Sequence, residues 1–187
     1  MARPTTKRRL RDINPDDFGR DVAERVEAHV TSLLPEDGDV ATARHVARIV
    51  ERHLVIVAKK ASLLAKYAHD GALDPKQAGD MLFIVCVWLY SCAGQSFDVL
   101  EKLDVFPNDD LGIVILAAHA RVHLDHNEAV SVRELACLAG VDPDHVRLLA
   151  RQGEITIEGG VVAPQIAKQW LTARGVIETR DIVAGEG

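Results

Sequence analysis

The chain has little aromatic character, few cysteines and none of the short motifs that mark common enzyme classes. Phe, Trp and Tyr make up 4% of its 187 residues, so its core must rely on aliphatic side chains. A glycine-rich phosphate loop, a G-x-S-x-G motif and an H-E-x-x-H motif are all absent. The three cysteines form no C-x-x-C pair, which predicts buried, reduced thiols. We therefore expect a protein that is not an enzyme and uses no cofactor.

The sequence also lacks an apolar run long enough to cross a membrane. Its longest nearly apolar stretch, residues 81–94, falls short of the roughly 20 residues that a transmembrane helix needs. The N-terminus has no apolar segment of the kind found in signal peptides. These two absences predict a cytoplasmic protein without membrane contact.

Hydrophobic residues make up 48% of the chain, and the abundance of Ala, Val and Leu favours packed helices. Asn14-Pro15, Asp74-Pro75 and Pro107 each place a proline where a helix begins, and a further helix is expected from about Asp39. We predict a mainly α protein with a four-helix dimerisation or sensor domain. Its expected limits are residues 14–126, with a flexible basic leader at residues 1–13 and a flexible tail at residues 177–187.

Residues 81–94 would be apolar on every face of a helix. Such a helix has to be surrounded, either by its neighbours in a bundle or by a second copy of the chain. Four helices enclose one of their number only partly. A homodimer formed through this segment is therefore one prediction, and a central position in the bundle is the other.

Acidic residues outnumber basic ones by 28 to 22, which disfavours binding to nucleic acid unless the cations are grouped. Residues 61–129 carry most of the excess, with four basic and ten acidic side chains. Residues 130–187 have six basic and eight acidic side chains. A basic surface would therefore have to be local.

The segment from residue 131 to residue 152 carries the clearest local pattern. Ser131 and Glu134 form an S-x-x-E capping box, and Gly140 provides a helix stop. Asp142 and Pro143 then begin a second helix. Two short helices joined by a tight turn of this kind are typical of a helix-turn-helix.

The residues that follow change period. Residues 154–157 alternate, Glu158-Gly159-Gly160 predicts a turn, and Val161-Val162 returns, which together indicate a small β-hairpin. Pro164 begins a last helix that Gly175 ends.

The pattern S-V-R-E-L-A-x-L-A-G-V, then V-R-x-L-x-x-x-G-x-I, a hairpin, and V-x-P-x-x-A-x-x-W-L resembles the winged helix-turn-helix of the excisionase and MerR-type DNA-binding families. The resemblance covers residues 129–176. It implies a bacterial transcriptional regulator in which helix 143–152 lies in the major groove of double-stranded DNA. It differs from the family pattern at the acidic hairpin tip and the Asp-Pro-Asp start of the recognition helix. The DNA-binding residues that it implies, with an arm from the leader, are Arg133, His145, Arg147, Arg151, Gln152, Arg8 and Arg9.

The acidic hairpin tip leaves a second interpretation open, in which the helix-turn-helix is an adaptor that binds a protein partner and no nucleic acid.

His119, His123 and His126 share one face of the fourth predicted helix, where they could bind a metal ion. Three histidines on one helix converge poorly on a single tetrahedral ion, so a partly exposed helix face is the other interpretation.

Overall fold

The computed structural model describes residues 9–32, 40–91 and 109–177, and within these ranges the protein is mainly α-helical with one small antiparallel sheet. The described helices are α1 (Pro15–Ser32), α2 (Val40–Asp70), α3 (Pro75–Ser91), α4 (Asp110–Asp125), α5 (Val132–Ala139), α6 (Pro143–Arg151) and α7 (Pro164–Ala173). The strands are β1 (Val130–Ser131) and β2 (Val161–Val162). The mainly α prediction is confirmed.

The helix starts follow the local signals in the sequence. The Asn14 side chain accepts hydrogen bonds from the backbone N–H groups of Asp16 and Asp17, at 2.9 and 3.1 Å, ahead of α1. Asp74 does the same for Lys76 and Gln77 at the start of α3. These bonds satisfy N–H groups that have no partner within the helix.

The fourth helix begins later than the proline predicted. Asp109 is its N-cap, with a side-chain oxygen 3.1 Å from the Gly112 N–H, and the helix runs from Asp110. Pro107 lies outside the described residues.

Of the helices described, α4 is the most enclosed. It packs against α1, α2, α3, α5 and α7, and it buries residues on every side, including Leu111, Ile115, Ala118 and Leu124. By contrast, Phe83 in the apolar α3 stays 51% exposed. The sequence pattern therefore assigned the central position to the wrong helix: α4 takes it. Residues 92–94 of the predicted dimer segment lie outside the described residues.

The leader is shorter than the sequence suggested. Residues 10–12 form one turn of 3-10 helix, and Leu10 and Ile13 are buried in the core. Ordered structure thus begins by Arg9, and Arg8 and the predicted tail from residue 178 lie outside the described residues.

The small sheet does not pair as the hairpin prediction had it. Val161 and Val162 pair antiparallel with Ser131 and Val130, which precede α5. The segment before the turn is drawn inward instead, because Ile155 is buried in the core. Only Glu158 bridges to Val161 across the turn. The sheet therefore ties the start of α5 to the segment before α7.

One hydrophobic core runs through all these elements. It contains Val22 and Val26 of α1 as well as Leu135, Val146 and Leu171 near the C-terminus. The helices before and after residue 128 therefore share their packing within the described part of the chain. None of the described helices has both the length and the hydropathy that crossing a bilayer would require.

Candidate functional site

The C-terminal unit, defined here as residues 130–177, is built around α5 and α6. Ser131 caps α5 through its side chain, which accepts from the Glu134 N–H at 3.2 Å, and Glu134 Oε2 accepts from the Ser131 N–H at 2.7 Å. This reciprocal pair is the predicted capping box. It fixes the first turn of α5 and holds the Glu134 carboxylate in place.

The turn between α5 and α6 depends on Gly140. Its φ of 65° is left-handed, a conformation that a residue with a side chain adopts only at an energetic cost. Asp142 then caps α6, because its side chain accepts from the Asp144 N–H at 2.9 Å. The two helices are thereby set at the corner that the sequence pattern predicted.

The inner side of α6 is apolar and its outer side is polar. Val146 and Leu149 are buried, whereas Arg147, Arg151 and Gln152 are exposed. His145 is half-buried. The residues predicted to bind DNA on this helix therefore lie together, with Arg147 and Arg151 one turn apart.

The charges on this outer side are partly balanced. Arg147 Nη1 lies 2.7 Å from Asp144 Oδ1 on the same helix. The tip of the turn after α6, Glu158-Gly159-Gly160, is exposed and carries a negative charge. Arg133 on α5 is half-buried.

The end of the leader reaches the same turn. A β-carbon built on Gly140 would lie 3.7 Å from the Arg9 β-carbon, and the Arg9 side chain is exposed. Sequence reasoning gave no reason to expect this contact, since more than a hundred residues separate the two positions. The basic segment that precedes Arg9 thus joins the protein beside the α5–α6 turn.

A second group of polar side chains lies where α4 crosses α5. His119 and His123 are one helical turn apart, with ring centroids separated by 4.0 Å. Their neighbour is Glu134, whose Oε1 forms a hydrogen bond with His119 Nδ1. One donor atom from each of the three residues lies within 4.8 Å of the others.

His126 does not belong to this group. Its Nδ1 lies 2.8 Å from the Val122 carbonyl oxygen of its own helix, beyond the last turn of α4. The predicted set of three histidines is therefore wrong in one member, and Glu134 takes the place of His126. The missed signal was the capping-box glutamate, which follows the histidine-bearing helix after a short connection.

Burial and hydrogen bonding act in opposite directions on Glu134, whose side chain is 2% exposed. Burial alone would raise its pKa, but the hydrogen bonds from His119 and Ser131 outweigh that effect and lower the pKa of the carboxyl group. Glu134 is thus an ionised carboxylate inside the protein at neutral pH.

The cysteines offer no reactive group among the described residues. Burial raises the pKa of Cys86 to about 12 and that of Cys137 to about 11. Both are free thiols, and Cys92 lies outside the described residues.

A shallow cleft between the start of α1 and the start of α4 is strongly acidic. Asp12, Asp17, Asp21, Asp109 and Asp110 line it. Its one arginine, Arg25, already contacts two of these carboxylates. The cleft therefore lies on a part of the surface that would repel DNA.

Comparisons of the whole chain with protein-family models, with curated proteins and with solved structures give no match.

Proposed function

We propose that the protein is a cytoplasmic DNA-binding transcriptional regulator and that residues 130–177 form a winged helix-turn-helix. In this proposal the preceding helices form a dimerisation or sensor domain. The observation that carries it is the outer face of α6, where Arg147 and Arg151 are exposed one turn apart while Val146 and Leu149 hold the helix against the core.

This face suits the major groove of DNA. Arginines spaced by four residues on a helix point the same way, and each guanidinium group can donate two hydrogen bonds to a guanine edge. Arg147 would exchange its contact with Asp144 for a contact with DNA. Arg133 on the neighbouring helix is suited to a backbone phosphate, with Gln152 and His145 at the edges of the face.

The leader supplies the positive charge that the turn after α6 lacks. Because Arg9 lies beside the α5–α6 turn, the basic residues before it begin next to the proposed reading surface. Arg8 and Arg9 would then act as an arm along the minor groove or the phosphate backbone.

The test is binding of full-length protein to a fluorescent random-sequence duplex at low salt, followed by anisotropy. We expect the double variant Arg147→Ala/Arg151→Ala to bind at least about tenfold more weakly, since each lost arginine contact costs about 1–3 kcal/mol. The matched control is Lys59→Ala/Lys60→Ala on α2, which removes two positive charges away from α6. Equal affinities for the wild type and the arginine variant would contradict the proposal.

We also propose that the regulator is a homodimer through α3. Met81, Leu82, Val85 and Cys86 are buried, yet Phe83 between them is 51% exposed. A second copy would cover this ring, and a dimer suits the paired half-sites of many operators. Light scattering should give a dimer for the wild type and a monomer for Phe83→Glu. A monomeric wild type would rule out this part of the proposal.

One observation favours the adaptor as a second candidate. Leu148 lies in the middle of the outer face of α6 and is 46% exposed, which suits an apolar partner surface. If the protein is an adaptor, the duplex experiment gives no binding at low salt for any variant.

A further inference from the structure

We propose that His119, His123 and Glu134 form a binding site for one divalent transition-metal ion, with Zn²⁺ as the best match, between α4 and α5. The site does not depend on the proposed DNA-binding function. It would join the most enclosed helix to the first helix of the C-terminal unit.

The donor set suits such an ion. Two imidazole nitrogens and one carboxylate oxygen are common ligands of Zn²⁺, and they leave a fourth position for water or another side chain. Glu128 is placed to supply that ligand, since its Oε2 lies 3.8 Å from His123 Nε2 at the rim of the cluster.

The spacing also suits the ion. Ligand atoms around a tetrahedral Zn²⁺ lie about 3.3 Å apart when the bonds are about 2.0–2.1 Å long. The three donor atoms here already lie within 4.8 Å of one another. Small side-chain rotations of the two histidines would close the remaining gap, because their side chains are only partly buried.

Glu134 is held ready for this role. Its Oε2 is fixed by the Ser131 N–H, which leaves Oε1 directed at His119. A carboxylate oriented by a second hydrogen bond is typical of protein metal ligands. In the metal-bound form His119 Nδ1 would carry the ion, and the proton that it now shares with Glu134 would move to Nε2 or to solvent.

A hydrogen bond between His119 and Glu134 does not by itself explain the cluster. His123 Nδ1 is buried and has no hydrogen-bond partner among the described residues. Buried polar atoms of this kind are uncommon, and a missing ion is one of the usual reasons for them. A metal ion between the two rings would account for both histidines.

The test uses the full-length chain without an affinity tag, stripped of metal with a chelator and then titrated with Zn²⁺ by calorimetry. We expect one ion per chain and at least a hundredfold weaker binding for His123→Ala. His126→Ala is the matched control, because His126 is on the same segment but bonds to the Val122 carbonyl, and it should bind as the wild type does. A wild type that binds no ion, or a His123→Ala variant with unchanged affinity, would overturn the proposal.

A second measurement covers the case in which His123→Ala fails to fold. Titration of the wild type with Co²⁺ should give visible d–d absorption bands of a four-coordinate site, and Zn²⁺ should displace them. Glu134→Gln keeps an oxygen for the Ser131 N–H but loses the negative charge, so it should lose these bands. Bands that persist in Glu134→Gln would contradict the assignment. Neither experiment contains DNA, so its outcome is separate from that of the proposed function.

Discussion

Arg121 lies where three parts of the chain meet. It is 5% exposed, and its guanidinium group donates to the carbonyl oxygens of Ala68 at 2.9 Å, His69 at 2.9 Å and Val176 at 3.2 Å. The first two carbonyls are at the end of α2, where a helix has unsatisfied acceptors and a partial negative charge. One side chain on α4 thus fastens both the end of α2 and the segment after α7.

Replacing Arg121 should therefore be costly. We expect Arg121→Met to lower the free energy of unfolding by about 3 kcal/mol, because it leaves buried carbonyl oxygens without donors. Arg121→Lys should be destabilising too, since one ammonium group cannot reach all three oxygens. Urea denaturation measures both. A loss below about 1 kcal/mol would mean that water replaces the guanidinium group without difficulty.

His69 makes stability depend on pH. Burial is the largest cause that lowers its pKa from the ordinary value of 6.5, and the nearby charge of Arg121 acts in the same direction. Since the unfolded chain then binds a proton more readily than the folded protein, stability is complete above pH 6.5 and declines as the pH falls below it.

This dependence can be checked by comparing urea midpoints of the wild type and His69→Asn at pH 7.5 and at a mildly acidic pH. The wild type should lose more stability than the variant between the two conditions. If both lose the same amount, His69 does not contribute to the acid sensitivity.

At the scale of elements, the packing of α1 on α2 depends on a missing side chain. A β-carbon on Gly19 would lie 2.4 Å from the Ala58 carbonyl oxygen, which is a backbone atom that cannot move aside easily. The two helices can approach this closely only because Gly19 has no side chain.

Gly19→Ala should accordingly destabilise the protein by about 1–3 kcal/mol, as overpacked cores do. Gly79→Ala is a matched control, since Gly79 is also helical and a β-carbon there would meet nothing within 4 Å. That control should be neutral or gain up to about 1 kcal/mol from helix propensity. Thermal or urea melts compare the two, and a Gly19→Ala variant as stable as the control would contradict the close packing.

Local signals predicted the elements well but not their pairing. Asn14, Asp74 and the Ser131–Glu134 box set helix starts that the structure confirms, because a cap acts within three residues of itself. The partner of Val161-Val162 lies about thirty residues earlier and could not be read from the alternation alone.

The same limit applied to the metal cluster. The spacing of His119 and His123 indicated a shared face, but the third ligand depends on how α4 crosses α5. Helix crossings arise from packing among distant residues, which periodicity does not specify. For this reason the sequence offered His126, and the structure brings in Glu134.

At the scale of the whole molecule, an acidic protein is proposed to bind a polyanion. The net charge of −6 is concentrated before residue 130, and an acidic cleft lies at the start of α4. Binding therefore depends on a small surface made of α6 and the end of the leader. A surface of this kind should bind DNA weakly at physiological salt unless two copies act together.

The salt dependence of DNA binding tests this account most directly. The logarithm of the association constant is measured against the logarithm of salt concentration for the wild type, for Arg147→Ala/Arg151→Ala, and for a chain without residues 1–8, which spares the buried Leu10. We expect a clear negative slope for the wild type, a slope smaller by about 2 for the arginine variant, and a smaller slope for the shortened chain. A wild type that does not bind at low salt, or a slope that the arginine variant leaves unchanged, would contradict the claim that α6 reads DNA.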